Sequence, residues 1–343
     1  MKAVLLKKHG GLENLVIEEV PEPVPKDNEV IIKIHSAALN HLDIWVRQGA
    51  DGRKIALPHI PGSDGAGTII EKGAKVVGLK IDDKVIINPG LSCGICEQCQ
   101  HGQQSQCRSF GIIGMSINGT FAEKIAVPFE NVNPKPEHLN LDEAAALTLT
   151  FLTAWRMLFS RAWLKPGETV LIHGIGGGVA TSCLQLAKLA GAVVIITSSS
   201  DNKIEKAKKI GADYGINYKT DSDISKNILE ITNGKGVDII ADSVGAATWP
   251  INFNVASKGA RIVLCGVTTG AQAQTNLQYL YWNQLNILGS TLGSHSEMKE
   301  MLKAISAAKL KPVIDSIEPI KNIVKAMDKM EKSDQFGKIV LSL

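Results

Sequence analysis

Cysteine is scarce and unevenly placed: of six in 343 residues, four fall between Cys93 and Cys107, while Cys183 and Cys265 stand alone in apolar segments. A disulfide framework is not the natural reading, and the chain reads as intracellular and cytoplasmic. Charge of one sign is lacking too. A net charge of +3 is small for this length, and no basic tail, arginine-rich patch or aromatic-basic interleaving is present. Nucleic acid is therefore not an expected partner. Long apolar runs are missing. The longest uncharged stretches, 169–187 and 262–296, are broken by Gly, Asn, Gln and Ser, unlike a lipid-facing helix. The opening MKAVLLKKHGG flanks a very short apolar run with lysines and reads as neither signal peptide nor membrane anchor. No GxxxxGK[ST] occurs, which removes a nucleotide-triphosphate site of that kind.

What is present is a globular composition, 44% apolar and 21% charged, long enough for two domains with their own cores. The first 130 residues read as short Val- and Ile-rich strands punctuated by Gly, Asp or Pro, a mostly antiparallel, barrel-like pattern. Near Leu141 it changes: LDEAAALTLTFLTAWRMLFSRAW reads as helical, with Asp142 and Glu143 suited to a first turn. Strands and helices then alternate, and apolar strands without polar alternation fit a parallel sheet covered on both faces. The fold class is α/β, with boundaries at 1–150, 151–292 and 293–343.

ETVLIHGIGGGVATSCLQLAKLAG carries the strongest functional signal. Gly174 permits a tight turn, and Gly176, Gly177 and Gly178 let backbone approach a pyrophosphate. Free N–H groups where the helix opens, around Val179, receive phosphate charge. Strand, turn, helix, strand and helix arrive in the order a dinucleotide site requires. The bland alternative is a tight turn with no ligand. After the second strand comes TSSSDNK. Ser198 and Ser199 leave room and hydrogen bonds for a 2′-phosphate, and Lys203 adds positive charge, which favours NADP(H) over NAD(H). Asp201 is the complication: facing the ribose in place of Ser198, it selects NAD. The serines also serve as caps for the next helix.

Cys93, Cys96, Cys99 and Cys107 follow C-x2-C-x2-C-x7-C. Four thiolates make a closed tetrahedral shell for one structural zinc, with no position left for water or substrate. An iron–sulfur cluster, two local disulfides or a vacant site are the competing readings. For a second metal the polar residues of the first domain offer His41, His59 and Asp64, a weak N/O set at best.

These segments together, with SAALNHLDIWVRQG, LPHIPGSDGAG, FLTAW and GKIVLSL, resemble the medium-chain dehydrogenase/reductase superfamily of zinc alcohol dehydrogenases and quinone oxidoreductases over essentially the whole chain. The resemblance implies a GroES-like catalytic domain interrupted by a Rossmann domain, with the C-terminal segment returning to the first domain. It implies a small-molecule substrate and a homo-oligomer, dimer or tetramer. It also places Thr153 near the nicotinamide, Ser243 near the adenosine, and Gly266 and Val267 along the cofactor backbone. At the three positions where zinc alcohol dehydrogenases hold a catalytic metal stand Asn40, Ser63 and about Leu149. The structural-zinc signature survives and the catalytic one does not.

Hydride transfer without Zn²⁺ then needs an acceptor that spreads its own charge. The expected reaction is NADPH-dependent reduction of an activated C=C bond or a quinone. The expected residues are Asn40 as donor to the substrate oxygen or, equally, as a neutral residue stabilising the cleft loop, His41 as proton shuttle or phosphate contact, and Asp43 and Asp64 in support. An NAD(P)-dependent alcohol or aldehyde dehydrogenase is the second reading, and a non-enzymatic NADPH-binding protein the third.

Overall fold

EVIIKIHSAA forms the ten-residue strand Glu29–Ala38, with Val30, Ile32, Ile34 and Ala37 buried in one core. In this computed structural model the described residues are 1–49 and 55–343. They divide into Met1–Leu152 with Gly293–Leu343, and Thr153–Leu292.

In the first unit a seven-stranded sheet runs Ile314–Pro319, Lys338–Ser342, Glu29–Ala38, Asp64–Lys72, Lys84–Ile87, Val132–Pro134, with Lys124–Pro128 also on Glu29–Ala38. All of these pairings are antiparallel except the parallel one between Ile314–Pro319 and Lys338–Ser342. Register brings distant residues together at one end of this sheet. Ala38 stands opposite Asp64 on one side and Val340 on the other. The residues just beyond the end of Glu29–Ala38 thus meet the start of both neighbouring strands.

The second unit is a six-stranded parallel sheet in the order Tyr214–Asn217, Val193–Ser198, Thr169–Ile172, Val237–Asp242, Ala256–Leu264, Asn286–Gly289. Leu171, Ile195, Ile240 and Ile262 are fully buried within it. Chain order reverses between Thr169–Ile172 and Val237–Asp242, the switch point at which open sheets of this kind bind ligands.

The helical stretch expected from Leu141 onward is not continuous. It consists of helices Leu141–Ala145 and Thr148–Trp155, followed by a π-helical stretch, Arg156–Arg161. The break has a visible cause: the Leu149 N–H and the Thr148 hydroxyl donate to the Asp64 carboxylate, at 2.7 and 2.5 Å. Asp64 caps the second helix from outside. Among the described residues no helix is long and apolar enough to cross a membrane.

Candidate active site and metal centre

Asn40, Asp43 and Asp64 come together in the first unit, and all three are buried. Asn40 precedes helix His41–Gln48; its N–H donates to Asp43 Oδ2 at 2.7 Å, and Gly62 N–H donates to Asp43 Oδ1 at 3.1 Å. The cation beside them is Lys338, the first residue of the Lys338–Ser342 strand, only 3% exposed. Its ammonium donates to Leu39 O at 2.7 Å, Asn40 Oδ1 at 2.6 Å and Asp64 Oδ2 at 2.9 Å. Those three bonds use every N–H an ammonium has. Asp64 is equally saturated. Oδ1 accepts from Thr148 and Leu149, and Oδ2 accepts from Lys338 and from Asn40 Nδ2, the latter at 2.9 Å.

Such a cluster has a definite chemical character. A fully hydrogen-bonded buried ion pair holds its geometry, and neither partner has a donor or acceptor left over for a further group. The Asn40 carboxamide is tied to both charges, to Asp64 through nitrogen and to Lys338 through oxygen. Asp43 differs from Asp64. Burial pushes its carboxyl up to about 7; the nearby Asp64 adds to the rise, while the Asn40 and Gly62 N–H groups and Lys338 oppose it. His41 is the exposed member, its ring edge-on to Trp45 with centroids 5.3 Å apart.

Ser63 and His59 face elsewhere. The Ser63 hydroxyl donates to Ile113 O at 2.7 Å, and His59 Nε2 lies 2.9 Å from Gly114 O. Among the described residues, Cys93, Cys96, Cys99 and Cys107 are the only group of three or more His, Cys, Asp or Glu side chains placed to hold a metal ion. His41, His59 and Asp64 form no such set.

The four sulfurs lie within 4.8 Å of one another. A zinc–sulfur distance of about 2.3 Å in a tetrahedron sets the sulfurs about 3.8 Å apart. Separations of 3.5 Å for Cys96–Cys99, 3.5 Å for Cys93–Cys107 and 3.9 Å for Cys93–Cys99 match that frame. They are far longer than a disulfide bond. Gly94 at φ +73° turns the chain between the first two ligands. The N–H groups of Cys93 and Ser109 donate to Cys107 Sγ, both at 3.4 Å, as a thiolate ligand favours. Zinc held here has no open position.

In the second unit the glycine turn leads from strand Thr169–Ile172 into helix Gly178–Leu189. Gly174 and Gly176 have φ of +66° and +116°, open to glycine and strained for other residues. Gly177 is the N-cap and no side chain caps this end. The first-turn N–H groups, Val179 included, are thus available to an anion. These features fit a dinucleotide pyrophosphate. Ser198 ends its strand, is buried, and accepts from the Ser200 N–H at 3.2 Å. Ser200 caps helix Asp201–Lys209, where Lys203 lies in the first turn. Ser199 is half-buried between them. Asp201 Oδ1 accepts from Asn217 Nδ2 at 2.7 Å, so the carboxylate that raised the NAD alternative has a protein partner. Ser243 and Gly266 follow strands Val237–Asp242 and Ala256–Leu264 and pack closely: a Cβ on Gly266 would stand 3.1 Å from Ser243 O. Val267 is 38% exposed beside them, and Thr153 is buried.

Sequence reasoning does not reach Lys338 or Thr148. The available signal is a lysine opening the apolar strand KIVL, a charge with no solvent face to occupy.

The zinc-binding dehydrogenase family profile matches residues 178–307, and the alcohol dehydrogenase GroES-like domain profile matches residues 26–137. An NAD-dependent alcohol dehydrogenase of Sulfurisphaera tokodaii is 32% identical over 350 residues, covering 99% of each chain. A quinone oxidoreductase of Mus musculus is 30% identical over 352 residues, covering 100% of this chain and 98% of its own. Among solved structures, an NAD-dependent alcohol dehydrogenase superposes with a TM-score of 0.96 at 40% identity, covering 100% of both chains.

Proposed function

The chain belongs to the zinc-binding dehydrogenases with a GroES-like domain, within the medium-chain dehydrogenase/reductase superfamily, and on that premise we propose that it reduces an activated C=C bond or a quinone. It is an NAD(P)H-dependent oxidoreductase. The bound dinucleotide supplies hydride. The observation that supports the proposed acceptor is the engagement of Asn40, Ser63 and Asp64 with internal partners, which leaves no three-ligand set for a second cation among the described residues. A simple ketone becomes an alkoxide on reduction and needs a Lewis acid or strong donors. An enone or quinone delocalises that charge and relies on it less. In this reading His41 contacts solvent and substrate, while Asn40, Asp43 and Asp64 hold the loop that presents it.

Metal content measured with turnover tests the proposal. About one zinc per chain, with NADPH consumption on enones or quinones surviving mild chelation, is the expected result. Two zinc ions per chain and alcohol oxidation abolished by the chelator would overturn it in favour of an alcohol dehydrogenase, the activity that the names of the Sulfurisphaera tokodaii relative and the solved neighbour print.

For the cofactor we propose NADP(H) over NAD(H). Ser198, Ser199 and Lys203 supply hydroxyls and charge for a 2′-phosphate, and Asn217 holds the competing Asp201. Ser198→Asp should weaken NADPH several-fold more than NADH (about 1 kcal/mol or more of discrimination); equal effects on both would discard the assignment. A homo-oligomer, dimer or tetramer, in the cytoplasm completes the proposal. Its support is the edge strand Asn286–Gly289, beside which Leu277, Tyr281 and Trp282 are 69%, 64% and 71% exposed. Such an edge with aromatic neighbours is covered by pairing, and light scattering reads the count.

A further inference from the structure

Three adjacent strands of the parallel sheet end in polar side chains that no solvent reaches. Thr197 is 2% exposed, His173 2% and Asp242 0%, and Asn252, from helix Trp249–Val255, is 0%. They form one chain of hydrogen bonds. Asn252 Nδ2 donates to Asp242 Oδ2 at 2.6 Å, His173 Nε2 lies 2.8 Å from Asn252 Oδ1, and His173 Nδ1 lies 3.1 Å from Thr197 Oγ1.

The direction of every bond is set at its carboxylate end. The Asp242 carboxylate accepts from the N–H groups around it, so the nitrogen of Asn252 faces it and the oxygen faces His173. His173 Nε2 must then carry a proton. The neutral ring's Nδ1 accepts, and the Thr197 hydroxyl donates to it. Burial holds the His173 pKa below the ordinary histidine value, against the opposing pull of Asp242 and the Asn252 bond. Asp242 Oδ1 meanwhile receives the N–H groups of Val244 and Gly245, at 2.7 and 3.1 Å, and Oδ2 receives the Thr248 hydroxyl at 2.7 Å.

Each of the three sheet residues lies one position before a residue already assigned to the cofactor. Gly174 follows His173, Ser198 follows Thr197, and Ser243 follows Asp242. We propose that His173 is a positioning residue for the dinucleotide, a neutral Nε2–H imidazole that ties the phosphate turn and the ribose loop to the Asp242 carboxylate and fixes their spacing. This rests on the dinucleotide reading of those loops. His173 touches no cofactor in this role; it acts through backbone common to NADPH and NADH.

The test has two arms. Selective ¹⁵N-histidine labelling of the native chain at neutral pH should show His173 as the Nε2–H tautomer; an Nδ1–H or doubly protonated ring overturns the inference. His173→Phe should weaken NADPH and NADH alike, about tenfold, the loss of one buried hydrogen-bond network link. The NADPH/NADH ratio and the rate at saturating cofactor should stay near native, and His173→Gln, which keeps a donor for Asn252, should recover part of the affinity. Native affinity in the Phe variant, or a loss confined to the saturated rate, overturns it. Should His173→Phe fail to fold, the Gln variant and the tautomer decide. Native protein that binds neither dinucleotide removes the cofactor reading; a wrong tautomer in protein that binds NADPH removes only this inference.

Discussion

The sulfur cage and the Asp64–Lys338 cluster belong to one structural unit, and each gathers charged groups around a point. The cage draws all four ligands from Cys93 to Cys107, turned by Gly94 and the short helix Glu97–Gln100. The cluster draws on Leu39, Asn40, Asp64, Thr148 and Lys338, the last 274 residues beyond its partner Asp64. One organises its own loop around a cation from outside. The other brings its cation on the chain itself, and its geometry depends on three strands paired in register. A local metal site contributes folding energy directly, whereas a buried ion pair spends most of its attraction on desolvation and contributes specificity of geometry.

The largest effect expected from that contrast is at the cage. Cys107→Ser removes a ligand whose sulfur also receives two backbone N–H bonds. Structural zinc sites carry on the order of 10 kcal/mol of apparent binding energy. Metal content should fall from about one per chain to near zero, and the first thermal transition should drop by more than about 10 °C. A stable, fully folded metal-free variant would show that the loop stands without its ion and that the two regions are alike after all.

Legibility divides along the same line. The cage, the glycine turn and the alternation of strand and helix are local patterns, so spacing and periodicity expose them, and the GroES-like profile covers the cage. The cluster is non-local. Asn40 and Asp64 stand out in sequence as polar residues in apolar loops, but nothing adjacent to either names Lys338 or Thr148 as a partner. For the same reason the helical pattern from Leu141 onward does not reveal its break: the Asp64 carboxylate that caps Thr148–Trp155 lies 84 residues upstream of Thr148. Periodicity registers a helix's apolar face and is silent about who caps it.

Next in size is the ion pair. Lys338→Met leaves the Asp64 carboxylate buried beside an orphaned Asn40 oxygen, and breaking one side of such a pair costs about 3–5 kcal/mol. Adding Asp64→Asn should return part of that loss, because the double variant no longer buries an unpaired charge. Urea unfolding of the three chains measures both steps. If Lys338→Met costs under about 1 kcal/mol, the cluster is not a closed unit.

The smallest effect, and the one that separates the cluster's two carboxylates, is the pH dependence set by Asp43. Its folded pKa is about 7, against an ordinary aspartate value of 3.8. Between those values the folded chain holds a proton that the unfolded chain has released, so raising the pH through this window lowers stability. For a single group the loss from pH 5.5 to 7.5 is about 2 kcal/mol. Asp43→Asn keeps the shape and one acceptor but cannot titrate, so the difference in unfolding free energy between native chain and variant should shift with pH by that amount. Lys338 is one of the groups holding the Asp43 pKa down. In the Lys338→Met background the window should therefore extend upward, and the native slope should persist to higher pH. A difference that stays flat from pH 5.5 to 7.5 would mean that Asp43 keeps its charge in the folded chain, the Asn40 and Gly62 N–H groups and Lys338 together outweighing burial. Asp43 would then be a second hydrogen-bonded structural carboxylate beside Asp64.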